Sequence, residues 1–325
     1  MATFSIGEAL GAGFSLIRRR PLSVWAWGLA YIIITVLPAL AMFASIGPAW
    51  LTMMHQLMQQ TPGAPAQITP AMLQLNQSVF LIEPLIWLTV LISQAVVQGA
   101  VIRSVLEPRN KAFASLRLGS RELWLGLVFL VEYILLAVST VAIAVVCVIA
   151  ALTARAALAN TQGAPWSGLV TVVSIGVAVC VYLWLLLRFS LAGPMTFALR
   201  KFSLFESWKV TKGVASKLLG LGLIMFAIVI GLEMVIGAVV CGILFAVVGV
   251  QNLNPAAMTD FVGRLPHMWP QILPWLALVL VLESAVYGAL FAIFIAPWAS
   301  AYLQLTGEPA PPPPSEAGAA ALEAA

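Results

Sequence analysis

Residues 188–217, RFSLAGPMTFALRKFSLFESWKVTKGVASK, decide how the chain is read, because a long apolar segment enters this stretch and another leaves it. Its centre, residues 202–206, has the pattern of a capping box, in which Ser203 accepts from the backbone N–H of Glu206 and the Glu206 carboxylate reaches back to that of Ser203. We therefore predict a short helix here, with the composition of a helix lying at a membrane surface. The residues that we expect to contact lipid at this surface are Arg188, Phe202, Phe205, Trp208, Lys209, Lys212 and Lys217.

The composition of the whole chain is that of a polytopic membrane protein. Of 325 residues, 62% are hydrophobic and only 9% are charged, whereas a soluble domain carries about 25% charged residues. The net charge of +4 would suggest nucleic acid for a soluble protein. In a membrane protein it reflects where lysine and arginine lie relative to the bilayer, so we predict membrane lipids as partners and no nucleic acid.

Six apolar segments each reach the roughly 20 residues that cross about 30 Å of hydrocarbon. The predicted helices cover 22–45, 80–102, 123–152, 168–192, 218–248 and 272–302. The predicted loops cover 48–79, 153–167 and 249–271. The fold class is therefore an all-α bundle of six transmembrane helices over residues 1–306, and the Pro- and Ala-rich tail at 307–325 is predicted to be disordered.

The distribution of basic residues predicts the orientation of the bundle. Six crossings place both termini on one side, and only Arg155 and Arg264 fall clearly on the other side. Because lysine and arginine are retained in the cytoplasm, both termini are predicted to be cytoplasmic.

A similar segment, which we call an elbow, recurs three times. Ser5 and Glu8 repeat the pattern of Ser203 and Glu206, while residues 113–122 match it loosely. Small residues or prolines stand near the end of the helix pair that follows each elbow, at 99–100, 193–194 and 296–297. We predict three parallel units, each an elbow helix plus a helical hairpin, at about 4–106, 113–199 and 202–304.

Four glutamates lie within predicted membrane helices. Glu83 is close to the outer end of its helix and can reach water, whereas Glu132, Glu233 and Glu283 lie deeper. Buried carboxyl groups in a bilayer face the bundle interior and have a partner, and they often mark proton or ion pathways. Two interpretations stay open for them. They form a relay in a proton-coupled transporter or channel, or they are protonated and join helices by hydrogen bonds, with Tyr287 one turn from Glu283 as a partner.

Catalytic and metal-binding motifs are missing from the sequence. His55 and His267 have no second ligand at helical spacing, and no nucleophile elbow or phosphate-binding glycine loop occurs. We therefore predict no catalysis, no metal and no cofactor.

Residues 188–194, RFSLAGP, followed by ESWKVTKG at 206–213, resemble a passage of bacterial six-helix membrane proteins related to the membrane domain of some glycerophosphoryl diester phosphodiesterases. The resemblance implies a six-helix fold and a place in the bacterial inner membrane. The His-Arg-Gly start of the phosphodiesterase domain is absent. We expect an accessory or structural role, in which the protein organises a membrane complex with a protein partner or contacts lipid, with the transporter as the alternative.

Overall fold

The computed structural model describes residues 4–59, 70–108, 113–158, 164–248 and 255–307, and in that part of the chain it contains helices and no strands. The tail from residue 308 lies outside the described residues, so its predicted disorder stays a prediction. The helices are α1 Ile6–Arg19, α2 Pro21–Tyr31, α3 Leu37–Gln59, α4 Pro70–Leu106, α5 Ser120–Leu158, α6 Ala164–Phe189, α7 Ala192–Leu199, α8 Leu204–Val210, α9 Ala215–Val248 and α10 Pro255–Thr306.

The predicted six-helix membrane architecture is confirmed. Six segments of the described chain are long and apolar enough to cross a bilayer. They are Pro21–Met42, Leu75–Leu106, Ser120–Ala154, Val172–Leu199, Ala215–Val239 and Ala277–Thr306. The chain is therefore a multi-pass membrane protein.

Several segments predicted as loops are helical. Helix α3 continues to Gln59, α4 begins at Pro70, and α10 begins at Pro255, so the predicted loops at 48–59, 70–79 and 255–271 are wrong. These segments are apolar, and their prolines either begin a helix or lie within one, where neighbouring groups can satisfy the freed carbonyls.

Helices α2 and α3 are joined without a break by a π-helical turn, Ile32–Val36. Pro38 lies two residues after the end of this turn. It has no N–H to give to the carbonyl four residues earlier, and its ring clashes with that carbonyl. The wider turn therefore accommodates the proline while the helix continues across the membrane.

The first elbow is a helix, as predicted, but its cap differs in one bond. The Ser5 hydroxyl accepts from the Glu8 N–H at 3.4 Å, which confirms half of the predicted capping box. The Ser5 N–H donates instead to Oε1 of Gln304, at 2.8 Å. The reciprocal bond from Glu8 is therefore replaced by a contact that fixes the start of α1 to the end of α10.

The second elbow is a turn, so the helix predicted there is wrong. Residues 113–119 precede α5, and Ala114 and Ser115 have positive φ angles of 54° and 50°. The buried indole of Trp27 donates to the Ala114 carbonyl at 2.6 Å, and the Ala114 N–H donates to the Ser23 hydroxyl at 3.3 Å. These tertiary bonds hold the turn on α2, and the threefold repeat stays a prediction.

The third elbow contains the predicted short helix, α8. The Ser203 hydroxyl makes no capping bond, so this capping box is wrong. Ser203 is fully buried, and its backbone N–H donates to the hydroxyl of Thr196 at 3.2 Å. Glu206 forms an ion pair with Lys201 at 3.1 Å instead of closing the cap.

The hydrophobic core lies at one end of the bundle, which we call the basic end because it carries Arg18, Arg19, Arg103, Arg121 and Arg200. Its fully buried residues come from α1, α2 and α7 and from the parts of α4, α5, α9 and α10 that meet there, and include Trp27, Val101, Leu125, Phe197, Leu221 and Ala299. Farther from this end, large apolar side chains of α5, α6 and α9 are exposed, as expected for surfaces that face lipid. Examples are Val138, Ile149, Val172 and Val235.

Helices α2 and α10 pack backbone to backbone. A Cβ atom added at Gly28 would lie 1.7 Å from the Ser284 carbonyl oxygen, and one at Gly288 would lie 1.9 Å from that of Val24. Small residues allow this close approach between membrane helices, where van der Waals packing drives association. The crossing joins the first and last membrane spans of the chain.

Candidate functional site

A cavity of about 610 Å³ lies next to the core, between α4, α5, α6, α7, α9 and α10. Its volume is within the range of ligand pockets, about 300–1,000 Å³. Most of its wall is apolar, with side chains such as Leu183, Leu187 and Phe226. The polar residues in the wall are Gln98, Glu132, Tyr133 and Ser190.

Glycines help to keep this space open. A Cβ atom at Gly193 would lie 3.5 Å from the Phe129 ring, and one at Gly222 would lie 3.6 Å from the Trp298 ring. Both glycines and both rings line the cavity. Gly193 leaves room between α5 and α7.

Glu132 is the one member of the three predicted glutamates that lines the cavity. It lies twelve residues from the start of α5, which corresponds to about 18 Å along the helix. The side chain is half-buried and forms no hydrogen bond or ion pair with the part of the chain that the structure describes. An acceptor group therefore reaches the cavity without a protein partner.

The other two glutamates lie near a different residue, Tyr287. Glu233 on α9 and Glu283 on α10 both lie within electrostatic range of Tyr287. The Tyr287 ring lies 5.1 Å from that of Tyr31, which directly precedes the π-helical turn. Tyr287 is near Glu283, but the described chain shows no hydrogen bond between them, and neither Glu233 nor Glu283 lines the cavity.

Arg188 joins α6 to α8. Its guanidinium lies 5.5 Å from the Trp184 ring and 5.4 Å from the Trp208 ring, and it donates to the Thr211 hydroxyl at 3.4 Å. Such cation–π contacts between a guanidinium group and aromatic rings are stabilising. Part of the Trp208 ring therefore packs against Arg188.

The other residues predicted to contact lipid differ in exposure. Phe205 is 62% exposed, whereas Phe202 is half-buried. The three lysines are exposed, and Lys217 also donates to the Phe4 carbonyl at 3.5 Å. The exposed set available to headgroups is therefore Phe205, Lys209, Lys212 and Lys217.

Sequence reasoning missed a buried ion pair at the basic end. Arg103 on α4 binds the carboxylate of Glu122 on α5, and its other nitrogen donates to the Ser115 carbonyl at 2.5 Å. The Gly119 N–H donates to the second Glu122 oxygen at 3.0 Å. The sequence signal that could have indicated this ion pair is Glu122, an acidic residue in the first turn of a helix that follows a basic segment.

Further charges surround this pair. Arg121 forms an ion pair with Glu107 at 2.6 Å. The guanidinium groups of Arg103 and Arg121 lie 5.2 and 5.3 Å from the Phe197 ring. Burial and the neighbouring Arg121 lower the pKa of Arg200, while Glu107 raises it. The loop before α5 is therefore fixed to α4 and α7 by charge as well as by packing.

Comparison of the chain with protein-family models, curated proteins and solved structures finds no match. In the described ranges, no group of three His, Cys, Asp or Glu residues is placed to hold a metal ion. What the fold and site define is a multi-pass helical membrane protein with a largely apolar intramembrane cavity.

Proposed function

We propose that this chain is a non-catalytic accessory protein of the bacterial inner membrane that takes an apolar ligand from the bilayer into its cavity. The observation that carries the proposal is the space of about 610 Å³ between helices that are themselves exposed to lipid. This gives the predicted lipid interaction a place within the bundle in addition to the elbows at its surface.

The physical reason is the character of the cavity wall. An apolar cavity does not hold water, because water there lacks hydrogen-bonding partners. An unfilled space also loses dispersion contacts along its whole lining. An alkyl chain from the bilayer restores those contacts, and the lipid-facing surfaces of α5, α6 and α9 border its route into the cavity.

Native mass spectrometry of the purified protein tests this proposal. Leu186 lines the cavity, so Leu186→Trp should fill part of it and reduce the number of lipid molecules that co-purify with each protein molecule. Leu152→Trp is the matched control, since Leu152 is 59% exposed on α5 and does not line the cavity. Equal ligand retention in wild type and both variants would contradict the proposal.

The proposed orientation places the basic end and both termini in the cytoplasm. The concentration of arginine and lysine at that end supports it, since such residues are retained on the cytoplasmic side. Cysteine labelling of intact cells should fail at Ser216 and succeed at Gln60 and Asn254. Labelling with the opposite pattern would reverse the assignment.

A proton-coupled transporter is the second candidate, because a carboxylate, Glu132, reaches the cavity. A relay through all three predicted glutamates has less support. Glu233 and Glu283 lie within electrostatic range of Tyr287 and are not part of the cavity wall.

A further inference from the structure

We propose that the cavity selects a single-chain amphiphile with a primary amine, and that Glu132 binds its ammonium group. This inference rests on the proposed function, because it names the chemical class of the ligand that the cavity takes. It gives Glu132 a role that needs neither a proton relay nor a hydrogen bond between helices.

The polar part of the cavity wall offers acceptors. The Glu132 carboxylate, when ionised, can only accept. The Ser190 hydroxyl donates its one hydrogen to the Leu187 carbonyl at 2.8 Å, which leaves its lone pairs. The Gln98 amide nitrogen donates to Gln94, which leaves the Gln98 carbonyl oxygen as an acceptor. A primary ammonium carries three N–H donors and so complements such a wall.

The charge of the wall favours a cation over a neutral donor. Glu132 is the one carboxylic acid in the described lining, and the same lining contains no lysine, arginine or histidine. A charge in a membrane interior usually has a partner of the opposite sign. Because the described part of the protein supplies none to Glu132, the ligand supplies it.

The remainder of the wall fits an alkyl chain. Apart from the four polar residues and the glycines, the lining consists of aliphatic and aromatic side chains and Pro194. A cavity with one charged point and otherwise apolar walls complements a molecule with one polar end. The volume of about 610 Å³ corresponds to a drug-sized ligand, which favours a single chain over a diacyl phospholipid.

Photolabelling of the protein in phosphatidylcholine vesicles tests the inference. The two probes are dodecylamine and dodecanol, each with the same diazirine in the chain, and labelled peptides are identified by mass spectrometry. The variant is Glu132→Gln, which keeps the shape of the side chain and removes the charge. Glu83→Gln is the matched control, since Glu83 is an exposed glutamate on α4 that lies outside the cavity.

In wild type and in Glu83→Gln, we expect the amine to label cavity residues about tenfold more than the alcohol, since a hydrogen bond between charged groups contributes at least this factor. Glu132→Gln should lose that preference and keep the labelling by the alcohol, which also shows that the cavity is intact. Equal labelling by both probes in wild type, or an unchanged preference in Glu132→Gln, overturns the amine selectivity alone. If neither probe labels the cavity in wild type, the proposed function fails as well.

Discussion

Removal of the Glu122 carboxylate should be among the most destabilising single changes in the protein. Glu122→Ala leaves the guanidinium of Arg103 buried at the basic end, with the Ser115 carbonyl and the Phe197 ring as its remaining contacts. The Gly119 N–H also loses its acceptor. The turn before α5 then lacks one of the bonds that fix it to α4.

The expected magnitude follows from burial. The side chains of Arg103 and Glu122 are 6% and 3% exposed, and breaking a buried pair by removing one partner costs about 3–5 kcal/mol. The pair of Lys201 and Glu206 is the internal control, because its side chains are 59% and 41% exposed. Exposed pairs contribute about 0–1 kcal/mol, so Glu206→Ala should change stability little.

The assay is reversible unfolding in mixed micelles, followed by circular dichroism. The double variant Arg103→Met/Glu122→Leu should recover most of the stability lost in Glu122→Ala, because it removes the unpaired charge and keeps the volume. The reasoning is refuted if Glu122→Ala and Glu206→Ala lose similar free energies of unfolding, or if the double variant is no more stable than Glu122→Ala.

Three further predictions concern helix packing, lipid contact and the buried acids. Gly28→Ala should greatly reduce the yield of folded protein, since its Cβ would lie 1.7 Å from a carbonyl oxygen of α10, whereas Gly231→Ala, with nothing within 4 Å, should fold normally. Replacement of the exposed lysines Lys209, Lys212 and Lys217 by Gln should weaken binding to anionic vesicles by about 1 kcal/mol per lysine and leave the free energy of unfolding unchanged. Unaltered binding would show that the elbow does not contact lipid through these lysines. Glu233→Gln/Glu283→Gln should keep both stability and the ability to complement a deletion strain, and a stable variant that fails to complement would favour the relay.

Hydrophobicity carried most of the fold information. Runs of apolar residues specify membrane helices, because the bilayer requires every backbone group to be satisfied within the segment. The same information does not locate helix ends, since a helix can continue beyond the hydrocarbon layer. That is why α3 and α10 include residues 48–59 and 255–271, which their composition had assigned to loops.

Local motifs were a weaker guide, because tertiary contacts compete with them. Ser5 caps α1 as its motif indicates, but Ser203 is buried and its N–H is bound by Thr196. The turn at 113–119 depends on Trp27 and Arg103, which come from other helices and leave no trace in the local sequence.

The candidate site was also only partly predictable from the sequence. Glu132 could be selected from the sequence, since an acidic residue in a membrane helix is rare and costly. The cavity could not, because its wall is assembled from α4, α5, α6, α7, α9 and α10, which lie far apart in the sequence. The sequence alone also does not show that Glu132 lines this cavity. It does not show that Glu233 and Glu283 lie within electrostatic range of Tyr287 instead.

The most direct test of the central proposal is an electron cryomicroscopy map of the protein in nanodiscs made from its native membrane. We expect an elongated density within the cavity, in contact with Leu183 and Phe226 and ending beside Glu132. A well-resolved map in which that space is empty, or in which α5, α6 and α9 close over it, would contradict the proposal that the cavity takes a ligand from the bilayer.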